Sequence, residues 1–374
     1  MRRLENPVYM RDRSNMSDDP FSDILKVAKA QSVVSGGLTA GGQWAIRFPV
    51  TDQMKLIGIV KGSCWLCIDG EVAPVRVEAG DVFLLSARRS VVLAGDLATV
   101  PVDAKTVFTP NAGLIAKLGD GDDCFVIGGH VLLDAVSGGL LADVLPALIH
   151  VRAASPQATV LQWLLDQLVR ERAADLPGTS LASAQLAQLM FVQILRAHLE
   201  TSGSLAAGWL RAVGDKRLAP ALRLMHSDPG RRWQLQELAK EAAMSRTTFA
   251  LHFKSVAGIA PLAYLTTWRM RLAERALREE NTPVSKLVRS LGYASESAFS
   301  NAFKRITGTA PKRYRAASRI VERAPPVPIC LAGTRRLAAI GAPSTGQPDA
   351  SPSVTSAAAA ASRHRVIAPS RQIG

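Results

Sequence analysis

Four cysteines in 374 residues are too few for a disulfide framework, and that scarcity fits a reducing cytoplasm. No run of about 18 apolar residues free of charge occurs, so no membrane-spanning helix is expected. The opening Met1-Arg2-Arg3-Leu4-Glu5-Asn6-Pro7 lacks the apolar stretch of a secretory signal. Histidine is sparse as well: there are six, and none lies between Gln43 and Val126. Charged residues, at 20%, sit slightly below the globular norm, while apolar residues, at 48%, match it. A wholly disordered or fibrous chain is thereby excluded. The length allows two or three domains. The expectation is a soluble cytoplasmic protein.

What the chain has in excess is positive charge, and the excess is local. Residues 1–203 carry 18 Lys+Arg against 21 Asp+Glu, whereas residues 204–323 carry 22 against 9. A basic block beside a mildly acidic one points to a polyanion-binding domain attached to something else, most often nucleic acid.

The texture divides the chain further. Residues 1–19 are charged and polar and are expected to be flexible. Between 20 and 155, short apolar stretches such as Leu56-Ile57-Gly58-Ile59-Val60 alternate with glycine breaks, the pattern of an antiparallel sandwich or barrel. Between 156 and 203, Val160, Leu161, Leu164, Leu165 and Leu168 recur at helical spacing. Leu186, Leu189, Met190, Ile194 and Leu195 do the same beyond Pro177-Gly178. That is a helical hairpin, serving either as a connector and dimerisation surface or as packing for its own domain. Residues 318–374 are expected to form a disordered, weakly basic tail. The fold class is thus α+β and multidomain: a β-barrel, a helical connector and an all-α basic domain at 204–317.

The basic block contains an internal repeat. At an offset of 50, Ser245 falls on Ser295, Phe249 on Phe299, Phe253 on Phe303 and Lys254 on Lys304. Gly258 falls on Gly308, Pro261 on Pro311 and Tyr264 on Tyr314. Two copies of one supersecondary unit explain this economically. Each copy reads as helix, tight turn, helix. Ser245 and Ser295 are N-cap candidates for the second helices. The paired phenylalanines, four apart, face a core. Arg246, Thr247, Thr248, Ala250, Leu251 and Lys254 then lie on other faces of the first of these helices. Glu296, Ser297, Ser300, Asn301, Lys304 and Arg305 do so on the second. Short polar residues, Asn and Lys have the chemistry to read base edges and phosphates in a major groove. The intervening stretch from Pro261 to Arg278, if helical at 1.5 Å per residue, is about 27 Å long. The spacing of successive major-groove openings on one face of DNA is roughly 34 Å.

Residues from about Leu218 to Arg315 resemble the AraC-type DNA-binding domain. The resemblance is carried by Trp233-Gln234-Leu235-Gln236-Glu237-Leu238-Ala239, by Met244-Ser245-Arg246-Thr247-Thr248-Phe249 and by Gly292-Tyr293-Ala294-Ser295-Glu296-Ser297-Ala298-Phe299 with its continuation to Arg305. It closes with Gly308-Thr309-Ala310-Pro311-Lys312-Arg313-Tyr314-Arg315. The resemblance implies two helix-turn-helix units joined by a long helix, bound to double-stranded promoter DNA. It admits RNA polymerase, a small-molecule effector and a homodimer as further partners. The chain departs from the family at Leu251 and Asn301, where Arg is frequent, and at Val288, where a small residue is usual. Leu251 suits a thymine methyl and Asn301 an adenine.

Gln43-Trp44-Ala45-Ile46-Arg47-Phe48-Pro49, Gly62-Ser63-Cys64-Trp65-Leu66 and Glu78-Ala79-Gly80-Asp81-Val82-Phe83 are similar to the cupin-like sensor that precedes this module in many such regulators. Leu145 to Arg152 looks like the end of that domain. Many cupins are metalloenzymes, so a cupin enzyme fused to a DNA-binding module is the alternative. The absence of histidine between Gln43 and Val126 argues against a cupin metal centre. Cys64 and Cys67, three apart on a strand, fall on opposite faces and read as packed thiols. Trp44, Arg47 and Trp65 are candidates for lining a ligand pocket. No Ser-His-Asp set, Walker loop or dinucleotide fingerprint stands out, so neither an enzyme nor a cofactor is expected.

Overall fold

The computed structural model describes residues 19–323, apart from 72, 87–88, 110–114, 135–136, 175, 202–206 and 280–281. The expected flexible amino terminus and tail therefore fall outside the described residues, except where the last helix continues through Arg323. The chain enters the described part as a helix, not a strand. Asp19 accepts the Phe21 N–H at 3.0 Å, and Pro20 opens the eight-residue α1 (Pro20–Val27), a cap and first-turn proline in their preferred places.

Among the described residues eleven strands follow: β1 (Gln31–Gly41), β2 (Ala45–Phe48), β3 (Met54–Lys61), β4 (Ser63–Ile68), β5 (Val75–Glu78), β6 (Val82–Leu85), β7 (Val91–Ala94), β8 (Val102–Asp103), β9 (Ile115–Gly119), β10 (Cys124–Leu132) and β11 (Leu148–Val151). Two short helices interrupt them, α2 (Ala104–Val107) and α3 (Gly139–Ala142). One sheet runs β11-β6-β3-β10-β1-β9 and the other β5-β4-β7-β2-β8. Most neighbours are antiparallel, as the turn pattern predicts, but β1 with β9 and β2 with β8 are parallel. The inner faces close over Ile46, Ile57, Ile59, Leu66, Val77, Phe83 and Leu93.

The apolar run of β3 is continuous because both of its faces are covered. Ile57 and Ile59 point into the barrel, while Met54 and Leu56 meet the helical hairpin. The hairpin comprises α4 (Ala158–Ala174) and α5 (Thr179–Thr201). Leu161, Leu164, Leu165 and Leu168 join Met190, Phe191, Ile194 and Leu195 against the larger sheet. Of the two roles open to this hairpin, its buried face is spent on packing against the barrel.

The carboxy-terminal helices are α6 (Trp209–Gly214), α7 (Ala219–Ser227), α8 (Leu235–Glu241), α9 (Arg246–Ala257), α10 (Pro261–Glu279), α11 (Val284–Ser290), α12 (Glu296–Thr307) and α13 (Pro311–Arg323). They have two separate cores. Leu222, Met225, Leu238, Phe249, Phe253 and Leu265 fill the first; Met270, Leu277, Leu287, Phe299 and Phe303 fill the second. The four phenylalanines are wholly buried, so truncating any one to Ala should cost about 3–5 kcal/mol.

Contacts also cross between the barrel and these helices. Ile24 and Val27 of α1 pack on Trp268. His226 stacks on Trp268 at 4.2 Å, meets the Tyr264 hydroxyl at 2.8 Å and lies 3.5 Å from Asp23. Arg278 donates to Asp134 at 2.6 Å and to Ser137 at 3.1 Å. The Trp209 indole donates to the Leu140 carbonyl at 2.6 Å.

Candidate nucleic-acid interface

The two repeat copies build the same local structure by the same means. In each, the serine hydroxyl accepts the amide three residues on: Ser245 from Thr248 at 3.1 Å and Ser295 from Ala298 at 3.2 Å. These bonds satisfy amides left free at a helix start. Each second helix ends on a left-handed glycine, Gly258 or Gly308, whose N–H returns to Lys254 or Lys304. Between the helices of the first copy the turn uses Ala243 at φ 52°, and the second uses Gly292 at φ 75°. The same backbone conformation is thus held once by alanine and once by glycine.

With the phenylalanines turned inward, the remaining positions are presented outward. Arg246, Thr247, Thr248, Leu251 and Lys254 are exposed on α9, with Ala250 half-buried; Leu251 is 66% exposed. Glu296, Ser297, Asn301, Lys304 and Arg305 are exposed on α12, with Ser300 half-buried. A leucine so open to water contributes nothing to the core; at helical spacing it shares a face with Thr247 and Lys254. His252 of α9 meets Asp215 at 2.9 Å, which ties the helix to the α6–α7 connection. Glu237 accepts the Gln234 N–H at 2.8 Å and pairs with Arg231 at 2.7 Å. Those two donors hold its carboxyl below the usual range.

Sequence reasoning did not single out Arg269. It lies midway along α10, donates to the Pro229 and Arg231 carbonyls, and faces the Tyr293 ring. Only the three-dimensional approach of the two units reveals it; its signal in the sequence is an ordinary helical arginine.

In the barrel, Trp44, Arg47 and Trp65 do not share a pocket. Trp44 is buried in the interior. Arg47 and Trp65 lie on the outer face of the smaller sheet, where Arg47 pairs with Asp69 at 3.7 Å and Trp65 carries the Arg76 guanidinium at 5.1 Å. Strand alternation explains the split, since Ile46, Cys64 and Leu66 take the inward positions. The same alternation separates Cys64, in the interior, from Cys67, beside Ala45, Val92 and Ala94. Cys64 meets Cys124, and that contact together with burial raises the Cys64 thiol.

The histidines are engaged elsewhere. His130 meets Ser35 at 2.5 Å, and His150 pairs with Asp81 at 2.8 Å. Among the described residues no three His, Cys, Asp or Glu side chains converge as metal ligands. No helix among them is long and apolar enough to cross a membrane.

A duplicated helix-turn-helix with exposed polar and basic reading faces, carried behind a cupin-like barrel, defines a DNA-binding transcription regulator. Residues 19–200 match the family described as Cupin, and residues 238–317 match that described as Helix-turn-helix domain. An AraC-like transcription regulator of Streptomyces lividans is 41% identical over 297 residues, covering 79% of this chain and 98% of that protein. One from Streptomyces antibioticus is 40% identical over the same span. A crystal structure of the DNA-binding domain of AdpA, a global transcriptional factor, with target DNA is 32% identical. It covers 30% of this chain and all of that one, with a TM-score of 0.28. The chain belongs to the AraC-like transcription regulators.

Proposed function

We propose that this regulator binds double-stranded promoter DNA with α9 and α12 in successive major grooves of one face, under the control of a small-molecule effector sensed by the barrel. The observation that carries the reading is the matched pair of capped, outward-facing helices at either side of α10. At 19 residues, α10 is about 28 Å long, close to the roughly 34 Å repeat of the major groove. Arg246, Thr247, Thr248, Ala250 and Leu251 then approach one groove, and Glu296, Ser297, Ser300, Asn301 and Arg305 the next. Lys254 and Lys304 engage phosphates.

The barrel is read as a sensor and not an enzyme, because the relatives are transcription regulators. The contacts of α1 and Asp134 with the helices of the DNA-binding part give an effector a route to them. Val160, Trp163, Leu181 and Leu189 are exposed on the hairpin and offer apolar surface to a second copy. RNA polymerase is the partner through which occupancy becomes transcription, in the cytoplasm.

The test is retention of DNA by the full chain and by a fragment ending at Gly203. The full chain should bind with an affinity that falls by orders of magnitude from low to moderate salt, and the fragment should not bind. Equal binding by the fragment overturns the reading.

A further inference from the structure

The two helix-turn-helix cores are distinct clusters, and α10 is the helix that runs through both. Its first half supplies Tyr264 and Leu265 to one core, and its second half supplies Met270, Ala273 and Leu277 to the other. Arg269 stands at the seam. Its Nε donates to the Pro229 carbonyl at 2.5 Å and its Nη2 to the Arg231 carbonyl at 2.7 Å. Both acceptors belong to the connection between α7 and α8, in the first unit. The same guanidinium lies over the Tyr293 ring, 5.8 Å from its centre, in the turn of the second unit.

That turn approaches the first unit's connection directly. A Cβ added to Gly292 would lie 2.0 Å from the Gly230 carbonyl oxygen and 3.4 Å from Arg269 Nη2. No side chain other than hydrogen fits there, and the left-handed φ of 75° at Gly292 independently favours glycine. Three carbonyl-bearing residues of one unit are thus clasped to the turn of the other by a planar fork and a bare backbone.

A helix alone would let two domains roll and bend about their junction. The clasp adds a second attachment, from the α7–α8 connection of one unit to the turn of the other. From this geometry we infer that Arg269, acting with Gly292, is a positioning residue that fixes the distance and rotational phase between α9 and α12. It thereby makes the regulator selective for the spacing between its two recognition elements. This inference rests on the reading that both helices dock at once.

Spacing is a demanding variable for a rigid reader. Each inserted base pair moves the second element by about 3.4 Å and turns it by roughly 35° about the axis. A rigid pair of helices should lose at least about tenfold in affinity for one added or deleted pair, comparable to one mismatched position. A hinged pair should lose much less.

The experiment uses the full chain and a set of operators identical except for minus two to plus two base pairs between the two elements. Wild type should show a sharp optimum. Arg269→Met keeps the aliphatic stem but loses both carbonyl bonds, so it should bind the optimal operator only modestly more weakly and discriminate between spacings by less than about threefold. Arg269→Lys, able to make one bond, should fall between them. If Arg269→Met weakens all spacings equally and keeps the sharp optimum, the residue is merely structural and the inference is overturned. If Arg269→Met does not fold, Arg269→Lys decides the same question: a wild-type optimum in it is the overturning result. A wild type indifferent to spacing, with one protected patch on DNA, would overturn simultaneous docking itself. Two patches with an unchanged optimum in the folded variant would overturn only the clasp.

Discussion

Replacing Asn301 by alanine tests the proposed base reading at its most specific point. Asn301 is exposed on α12, two residues after Phe299 and two before Phe303, so its side chain points away from the core that they fill. The amide makes no hydrogen bond within the described protein, and alanine is a better helix former. Asn301→Ala should therefore leave the unfolding temperature unchanged or slightly raised. On DNA, an asparagine bidentate to adenine N6 and N7 is worth about 1–3 kcal/mol of discrimination. At 1.4 kcal/mol per decade, that is roughly 5- to 150-fold at one base pair. The assay is a binding-site selection with wild type and variant, followed by competition against operators substituted at each position. The variant should lose preference at one A·T pair and keep the rest of the motif. Its salt slope should match wild type, because a neutral side chain releases no counterion. An unchanged motif, or a uniform loss over every sequence, would refute the reasoning.

Lys254→Ala and Lys304→Ala should weaken binding to all sequences alike, and each should reduce the slope of log affinity against log salt by about 0.9; a changed motif in either would reverse the assignment of roles. At the junction, burial works against ionisation of Asp134. The hydrogen bonds from Ser137 and Arg278 outweigh it and hold the carboxyl at about 2, below its ordinary 3.8. A depressed acid contributes stability above its unfolded value and loses it as pH falls through the folded one. The difference in unfolding temperature between wild type and Asp134→Asn should accordingly be constant above pH 4 and shrink between about pH 4 and 2. A difference independent of pH would show that the Arg278 contact does not depend on the charge.

The repeat was legible because its signals are local. A capping serine, phenylalanines four apart and a closing glycine each act within one helical turn, and Ser245, Phe249, Phe253 and Gly258 do what their spacing implies. The barrel was legible as a class, from glycine-broken apolar runs, but its inward faces were not assigned from the tryptophans. Arg47 alternates with the inward Ile46 on β2, Trp44 lies just before that strand and packs into the interior, and Trp65 is forced outward by Cys64 and Leu66. The alternation that puts Cys64 and Cys67 on opposite faces also puts Trp65 on the face opposite Cys64. α1 was missed because eight residues carry too little periodicity, although Asp19-Pro20 marks its start. The junction could not be read at all: Asp134 and Arg278 are 144 residues apart, and nothing in either neighbourhood names the other. Arg269 is the same case, since its acceptors are backbone carbonyls that carry no sequence signature.

The central claim is that two helices of one chain read two grooves of one DNA face, and hydroxyl-radical footprinting of the full chain on its selected operator tests it most directly. The account predicts two protected patches on the same face, centred about one helical turn, or roughly 10 base pairs, apart. A single patch the width of one helix, or two patches on opposite faces, would contradict it.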